Sequence, residues 1–372
     1  MTTKRNQLNW RRFPRLVVVA LLASLNTAVG VAQSSPLQNR KEQLTKMMPS
    51  ARMVIDDRGA SDYNSICRFW IANDRLLVVR RVASGNLSVI ERNLVTGRSA
   101  HLGWLEEAFS SEQGYPDSVR VSPDGRRMLW PSLNSSQDIY LVDLEKKLVA
   151  KAAVPAADEY NCVWTTDNDT WRLFTGINDR PIFRGPANLT TVYTARASNP
   201  RVFGEIGWLA ESSPLNRRIW IPRYRPFEAH LDATLALPDF TMLVATHPDR
   251  SDPEIRMTVS ILDLRQGGSA VSSYIVFSPP NHHVRSICFS PDARRVAWVA
   301  DDLGITGTGK PYVRPRLLKQ ALYISNIDGT RRKRIGSTAS DWGYGIDDLC
   351  WLPDGKTLAF ECQKCTWTLP IN

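Results

Sequence analysis

The chain has 372 residues, 43% of them hydrophobic and 23% charged, with a net charge of +10. That is ordinary globular usage and excludes a disordered, collagenous or multi-span membrane chain. Five of the positive charges (Lys4, Arg5, Arg11, Arg12, Arg15) lie in the first 32 residues with no acid among them, so without that segment the balance is +5. The remainder carries no Lys/Arg tract dense enough to follow a phosphate backbone, which argues against nucleic acid as a partner.

In chain order, the first element is the basic stretch followed by the apolar run from Leu16 to Ala32, which ends in Gly30-Val31-Ala32. A charged start, a short apolar run and small residues at its end read as a secretory signal over residues 1–32, cleaved before Gln33. The expected product is periplasmic or secreted, with no stable membrane insertion after cleavage. Residues 33–50 are polar and flanked by Ser and Pro, and read as a linker with one or two helical turns.

From residue 51 to 372 the pattern repeats. Ser122-Pro123-Asp124-Gly125, Ser290-Pro291-Asp292-Ala293 and Leu352-Pro353-Asp354-Gly355 are copies of one tight turn. Pro presets φ at the second position, Asp tolerates the third and Gly suits the exit. Ahead of each turn stand alternating apolar pairs, Val119 and Val121, Ile287 and Phe289, Leu349 and Trp351. Behind each come Met128-Leu129-Trp130, Val296-Ala297-Trp298 and Leu358-Ala359-Phe360. Each copy is therefore strand, turn, strand. Pro238-Asp239 is a weaker copy, and degenerate ones are read at Cys67 to Val79, Cys162 to Phe174 and near Ile206 to Ile221. A second hairpin follows most of them, as at Ile139 to Leu144, Val259 to Leu264 and Leu322 to Gly329. Leu303 to Leu318, rich in Gly and Pro, reads as a long loop.

Two hairpins per unit make a four-stranded antiparallel sheet, too small to bury its faces alone, so such sheets must stack radially on one another. The fold class is thus all-β: a single β-propeller of six blades of four antiparallel strands, with seven blades as the alternative. The last unit runs out of chain after a third strand, Thr366 to Ile371, so Ala51 to Ile55 is expected to supply its fourth and close the ring.

The turn Ser-Pro-Asp-Gly, its apolar strand and the run Leu322-Tyr323-Ile324-Ser325-Asn326-Ile327-Asp328-Gly329-Thr330-Arg331-Arg332 resemble the TolB-type propeller repeat of bacterial envelope proteins. The resemblance covers most of residues 67–372 and is strongest over 287–335. It implies a propeller in the cell envelope. The α/β domain that precedes the blades in TolB has no counterpart in the short stretch between Gln33 and Cys67.

Catalytic signatures are few. There is no Gly-x-Ser-x-Gly, no Walker loop and no His-Glu-x-x-His. Adjacent His282 and His283 are weak metal candidates, because neighbouring strand residues face opposite ways and share one metal only if the segment is a loop. A metal-dependent enzyme resembling the propeller polyuronate lyases is the alternative function on that basis. The residues just ahead of each inner strand should gather on one rim of the channel, and they mix aromatics with carboxylates. Tyr63, Tyr115, Asp117, Tyr160, His283, Trp342, Tyr344 and Asp347 are accordingly the candidate ligand-binding set. The leading expectation is a binding module without cofactor or catalysis, whose partner is an envelope protein, a peptide or a glycan. Of six cysteines, Cys362 and Cys365 flank a two-residue turn and are expected to form a disulfide, whereas Cys288 and Cys350 read as small buried hydrophobes.

Overall fold

The structure is a computed structural model. It describes residues 44–56, 66–81, 87–109, 119–131, 138–152, 159–176, 190–209, 233–246, 257–277, 282–304, 316–338, 345–362 and 365–371, with Glu42 and Val154. The chain divides into two units, Met1–Gln43 and Leu44–Asn372. The expected signal segment, residues 1–32, lies outside the described residues.

The second unit is a six-bladed β-propeller, every blade a four-stranded antiparallel sheet. Strand β1 (Arg52–Asp56) comes first in the chain but belongs to the last blade. Blade 1 comprises β2 (Ile66–Trp70), β3 (Arg75–Arg81), β4 (Leu87–Asn93) and β5 (Ser99–His101). Blade 2 comprises β6 (Arg120–Val121), β7 (Arg127–Pro131), β8 (Ile139–Asp143) and β9 (Leu148–Ala152). Blade 3 has β10 (Glu159–Trp164), β11 (Thr170–Gly176), β12 (Thr190–Arg196) and β13 (Asn199–Leu209). Blade 4 has β14 (Ala233–Ala236), β15 (Thr241–Thr246), β16 (Met257–Asp263) and β17 (Ser269–Phe277). Blade 5 has β18 (His282–Phe289), β19 (Arg295–Gly304), β20 (Arg316–Asn326) and β21 (Lys333–Thr338). Blade 6 has β22 (Ile346–Trp351), β23 (Thr357–Cys362) and β24 (Cys365–Pro370), and β1 completes it by pairing with β24, Arg52 opposite Thr368 and Asp56 opposite Cys365. The closure expected from the sequence is what the pairing shows.

The turn between the first two strands of a blade is built by its own side chains. Ser122 Oγ donates to Asp124 Oδ1 at 2.6 Å and accepts from Arg127 N at 3.0 Å, while Asp124 Oδ1 also takes Arg126 N at 3.1 Å. Ser290 and Asp292 repeat this, at 2.5 Å for their own bond and 2.9 Å for Arg295 N to Ser290 Oγ. Most of the turn's backbone groups are thereby satisfied within the turn itself. In blade 3, where no proline marks the turn, Thr165 and Asp167 make the same bond at 2.5 Å and Thr170 N donates to Asp167 at 2.8 Å. Asn168 takes the left-handed exit position at φ +63.

Blades hold each other at these same turns. Trp164 donates its indole N–H to Arg120 O of blade 2 at 2.8 Å, and Trp351 does the same to Cys288 O of blade 5 at 3.3 Å. Asp124 N donates to Asn168 Oδ1 of blade 3 at 2.8 Å, and Asp354 N to Asn73 Oδ1 of blade 1 at 3.1 Å. The buried Arg172 of blade 3 reaches the carbonyls of Leu237, Pro238 and Asp239 in blade 4 at 3.1, 3.1 and 2.7 Å. Between the sheets lie large apolar side chains from second strands, Trp130, Trp171, Trp298 and Phe360, all essentially sealed from solvent. Trp130 stacks on Phe109, which follows the short helix Gly103–Ala108 between blades 1 and 2.

Three details differ from the sequence reading. Ile206 lies within the outer strand β13, so no strand-turn-strand copy begins there; its alternating Ile206 and Trp208 imitate an inner strand. The loop read at Leu303 to Leu318 is shorter, since β19 runs to Gly304 and β20 starts at Arg316. Within the stretch read as linker, residues 44–47 are a helical turn, and Leu44 and Met48, one turn apart on the same face, are buried against the cores of blades 5 and 6.

Candidate functional site

In an antiparallel four-stranded blade, the start of the first strand and the end of the second lie at one end, together with the blade-to-blade connection. Of the candidate ligand-binding residues, Tyr160, His283 and Asp347 fall at that end, each at the start of a first strand. Tyr63, Tyr115, Asp117, Trp342 and Tyr344 lie outside the described residues. Tyr160 is in β10, opposite Thr175, and His282 and His283 are in β18, opposite Asp302 and Asp301. Both histidines thus sit on paired extended backbone, not in the loop that a shared metal would require. Among the described residues no group of three or more His, Cys, Asp and Glu is arranged to hold a metal ion.

Asp347 is the one candidate whose side chain is described, and its surroundings are informative. It is half-buried near the start of β22, with its Cα paired to that of Glu361 on β23. The residue before it, Ile346, donates its N–H to Gln320 Oε1 at 2.6 Å. Gln320 is buried on β20 of blade 5, and its amide fills the space where a side chain at position 345 would stand: a Cβ on Gly345 would come within 2.2 Å of it. A larger residue there would displace the Gln320 amide, and the bond from Ile346 pins the end of the connection between blades 5 and 6 to blade 5.

Glu361 also pairs with Arg68 of blade 1, their side chains only 14% and 9% exposed. The two residues cross the seam where the ring closes. At the position equivalent to Arg68 the other blades carry Val119, Cys162, Thr234, Ile287 and Leu349. At the position equivalent to Glu361 blades 2 and 5 carry the buried Pro131 and Val299. A guanidinium and a carboxylate have replaced apolar residues on both sides of one seam. Neither was singled out from the sequence. Aligning the repeat units column by column shows each as the lone ion in its column, and that was the available signal.

Below this cluster the thiols are shielded. Burial, with Cys365 and Asp347 adding negative charge nearby, pushes the Cys362 thiol up to about 12. Burial with Asp348 and Glu361 does the same to Cys350, also to about 12. Cys362 and Cys365 are cross-strand partners in the β23–β24 hairpin, the register that a disulfide between them needs, and both are free thiols in the structure. Cys288 and Cys350 are half-buried on the inner strands of blades 5 and 6.

The seam therefore presents Asp347 beside a shielded Arg68–Glu361 pair, on backbone fixed by Gln320. Such a group can orient a polar ligand by hydrogen bonds to fixed acceptors, because its geometry is set before anything binds.

No family model matches the chain, and no curated protein is similar to it. Among solved structures, similarity extends to TolB from Acinetobacter baumannii at 15% identity and TM-score 0.34, over 80% of this chain and 51% of that one. A putative TolB from Agrobacterium tumefaciens is matched at 12% identity and TM-score 0.40, over 82% of this chain and 90% of that one. The tricorn protease is matched at 10% identity and TM-score 0.42, over 82% of this chain and 29% of that one. The chain thus spans about half the length of the first TolB and under a third of the tricorn protease. The assignment of six blades rests on the strand pairing, independently of these likenesses.

Proposed function

We propose that the chain is an exported binding module that holds a peptide, a protein tail or a glycan at the rim formed by the blade-to-blade connections. The observation that carries this is the seam cluster, in which Asp347, next to the backbone that Gln320 holds, stands opposite Glu361, and Glu361 pairs with Arg68. A buried ion pair adds little stability over apolar residues of similar volume, so stability alone does not account for this one, and rims that present fixed acceptors serve recognition. Export rests on the basic and apolar stretch of residues 1–32. No helix among the described residues is long and apolar enough to cross a membrane.

The test is binding to peptide and glycan arrays by wild type, Asp347→Ala and the double variant Trp342→Ala/Tyr344→Ala. Loss of a wild-type signal in both variants, with melting temperatures unchanged, supports the proposal. Wild-type signals retained by all variants place the ligand elsewhere. Turnover of a polyuronate by the metal-loaded protein would replace binding with the lyase reading.

A further inference from the structure

The outer strand of blade 4 and the adjoining turn of blade 5 form a surface unlike the rest of the propeller. β17 (Ser-Ala-Val-Ser-Ser-Tyr-Ile-Val-Phe) has no charged residue, and its Val271 and Ile275 are each 57% exposed. The β20–β21 turn lies directly against it: a Cβ on Gly329, which has φ +81, would come within 2.8 Å of Ile275 O and 3.3 Å of Val276 Cα. From that turn project Arg331, Arg332, Lys333 and Arg334, all exposed, with Arg294 on the turn beside it. Asp328 is engaged by Thr330 Oγ1 at 2.6 Å and Asp292 by Ser290, and among the described residues no acid pairs with Arg331, Lys333 or Arg334.

A strand with exposed aliphatics, packed against a turn rich in exposed cations, fits an occupant that is anionic at its surface and apolar just beneath. Other occupants fit less well. Val271 and Val276 are bulged out of register and have no partner on β16, and a bulged edge is a poor template for an added strand. A second copy would bring the same cations face to face. The chain's own residues 1–41 carry seven basic residues and no acid, and are repelled as well.

We infer that this face docks on anionic lipid headgroups, with Arg331, Lys333 and Arg334 meeting the phosphates and Val271 and Ile275 entering the interface. The inference is independent of the rim proposal, because β17 and the β20–β21 turn contribute nothing to the Asp347 cluster. It makes the protein a peripheral one that lies on a membrane without spanning it.

The experiment is vesicle co-sedimentation of the full-length chain at low salt, with phosphatidylcholine vesicles containing about a third phosphatidylglycerol against phosphatidylcholine alone. Any contribution of the apolar run at residues 16–32 is common to wild type and variants, so the comparison isolates the patch. At roughly fivefold per cation, the triple variant R331S/K333S/R334S is expected to partition about 100-fold less onto anionic vesicles and equally onto neutral ones. V271S/I275S should weaken binding to anionic vesicles with its salt dependence intact. K146S/K147S, which removes two exposed cations from blade 2, should change binding far less. Equal partition of wild type and triple variant overturns the inference, as does an equal loss per charge in K146S/K147S, which would leave net charge alone as the cause. Unchanged vesicle binding with lost binding to soluble polyglutamate would assign the patch to an acidic protein instead. If the triple variant melts early, R331K/R334K must keep vesicle binding for the inference to stand.

Discussion

The Arg68–Glu361 pair joins the first and last blades, and a double-mutant cycle can separate its net worth from the penalty of breaking it. Replacing Glu361 by Leu takes from a guanidinium enclosed at 9% exposure the carboxylate paired with it across the seam. Removing one partner of a buried pair costs about 3–5 kcal/mol, and the residual solvent contact here lowers that to about 2–4. Unfolding entropy of about 2.1 cal/mol/K per residue, over roughly 330 residues, makes about 0.7 kcal/mol/K, so the melting temperature should fall by about 3–6 °C. The reverse variant, Arg68→Leu, should behave alike. The double variant R68L/E361L returns both positions to the apolar type found in other blades, and should recover to within about 1 kcal/mol of wild type or exceed it. Differential scanning calorimetry at neutral pH measures all four proteins, and the single-variant losses should be insensitive to added salt because the pair is shielded. If the double variant loses the sum of the two single losses, the residues do not interact and the seam is held by packing alone.

Other outcomes follow from the turns and thiols. Gly125 has φ +75 and a Cβ there would come within 2.1 Å of Ile71 O in blade 1, whereas Gly97 has φ +69 and open space around it. Gly97→Ala should therefore cost about 1 kcal/mol by equilibrium unfolding and Gly125→Ala at least about 2 kcal/mol more; equal losses would deny the inter-blade contact. Burial alone would raise the carboxyls of Asp167 and Asp292, but bonds from Thr165 and Thr170 to the first, and from Ser290 and Arg294 to the second, hold them below the ordinary aspartate range. A depressed carboxyl adds stability that is present above its unfolded pKa and is lost as pH falls through its folded value. Acid unfolding should thus steepen below about pH 4, and Asp167→Asn with Asp292→Asn should flatten it; an unchanged slope would refute the assignment. The raised Cys362 thiol leaves little thiolate at neutral pH, so oxidation to a Cys362–Cys365 disulfide is expected during folding and not in the folded reduced protein. Closing so small a loop should add about 2 kcal/mol by the chain-entropy relation, and mass mapping of oxidatively refolded protein that finds both thiols free would exclude the bond.

Much of the architecture is readable in the chain because the first turn of each blade is built by local chemistry. Ser122, Asp124, Ser290 and Asp292 bond within five residues, and such bonds leave a compact signature. The turn of blade 3 shows in the sequence only as a degenerate copy because proline is absent, yet Thr165 and Asp167 supply the same bonds. What is not readable is what depends on two blades meeting. Gln320, Arg68 and Glu361 have partners 26 and 293 residues away along the chain. No local pattern marks them, and only their departure from the apolar type of their repeat column does. Of the rim set, Asp347 is placed in the cluster and Tyr160 in β10, while Tyr63, Tyr115, Trp342 and Tyr344 lie beyond the described residues.

The pairing of β1 with β24 has a kinetic consequence. Arg52 and Thr368 are roughly 320 residues apart, so bringing them together carries a loop-closure entropy of about 5 kcal/mol unless the intervening blades have already formed. A chain delivered from its N-terminus therefore presents β1 first and its only sheet partner last. Until the final strand arrives, blade 6 has no outer strand and β1 has no sheet, and both edges stay open to pairing with another molecule. In a crowded compartment, two chains halted at this stage can each donate β1 to the other's blade 6, giving a domain-swapped dimer with every native strand pair intact. The yield of monomer on refolding should then depend on protein concentration even where the stability of the finished ring does not.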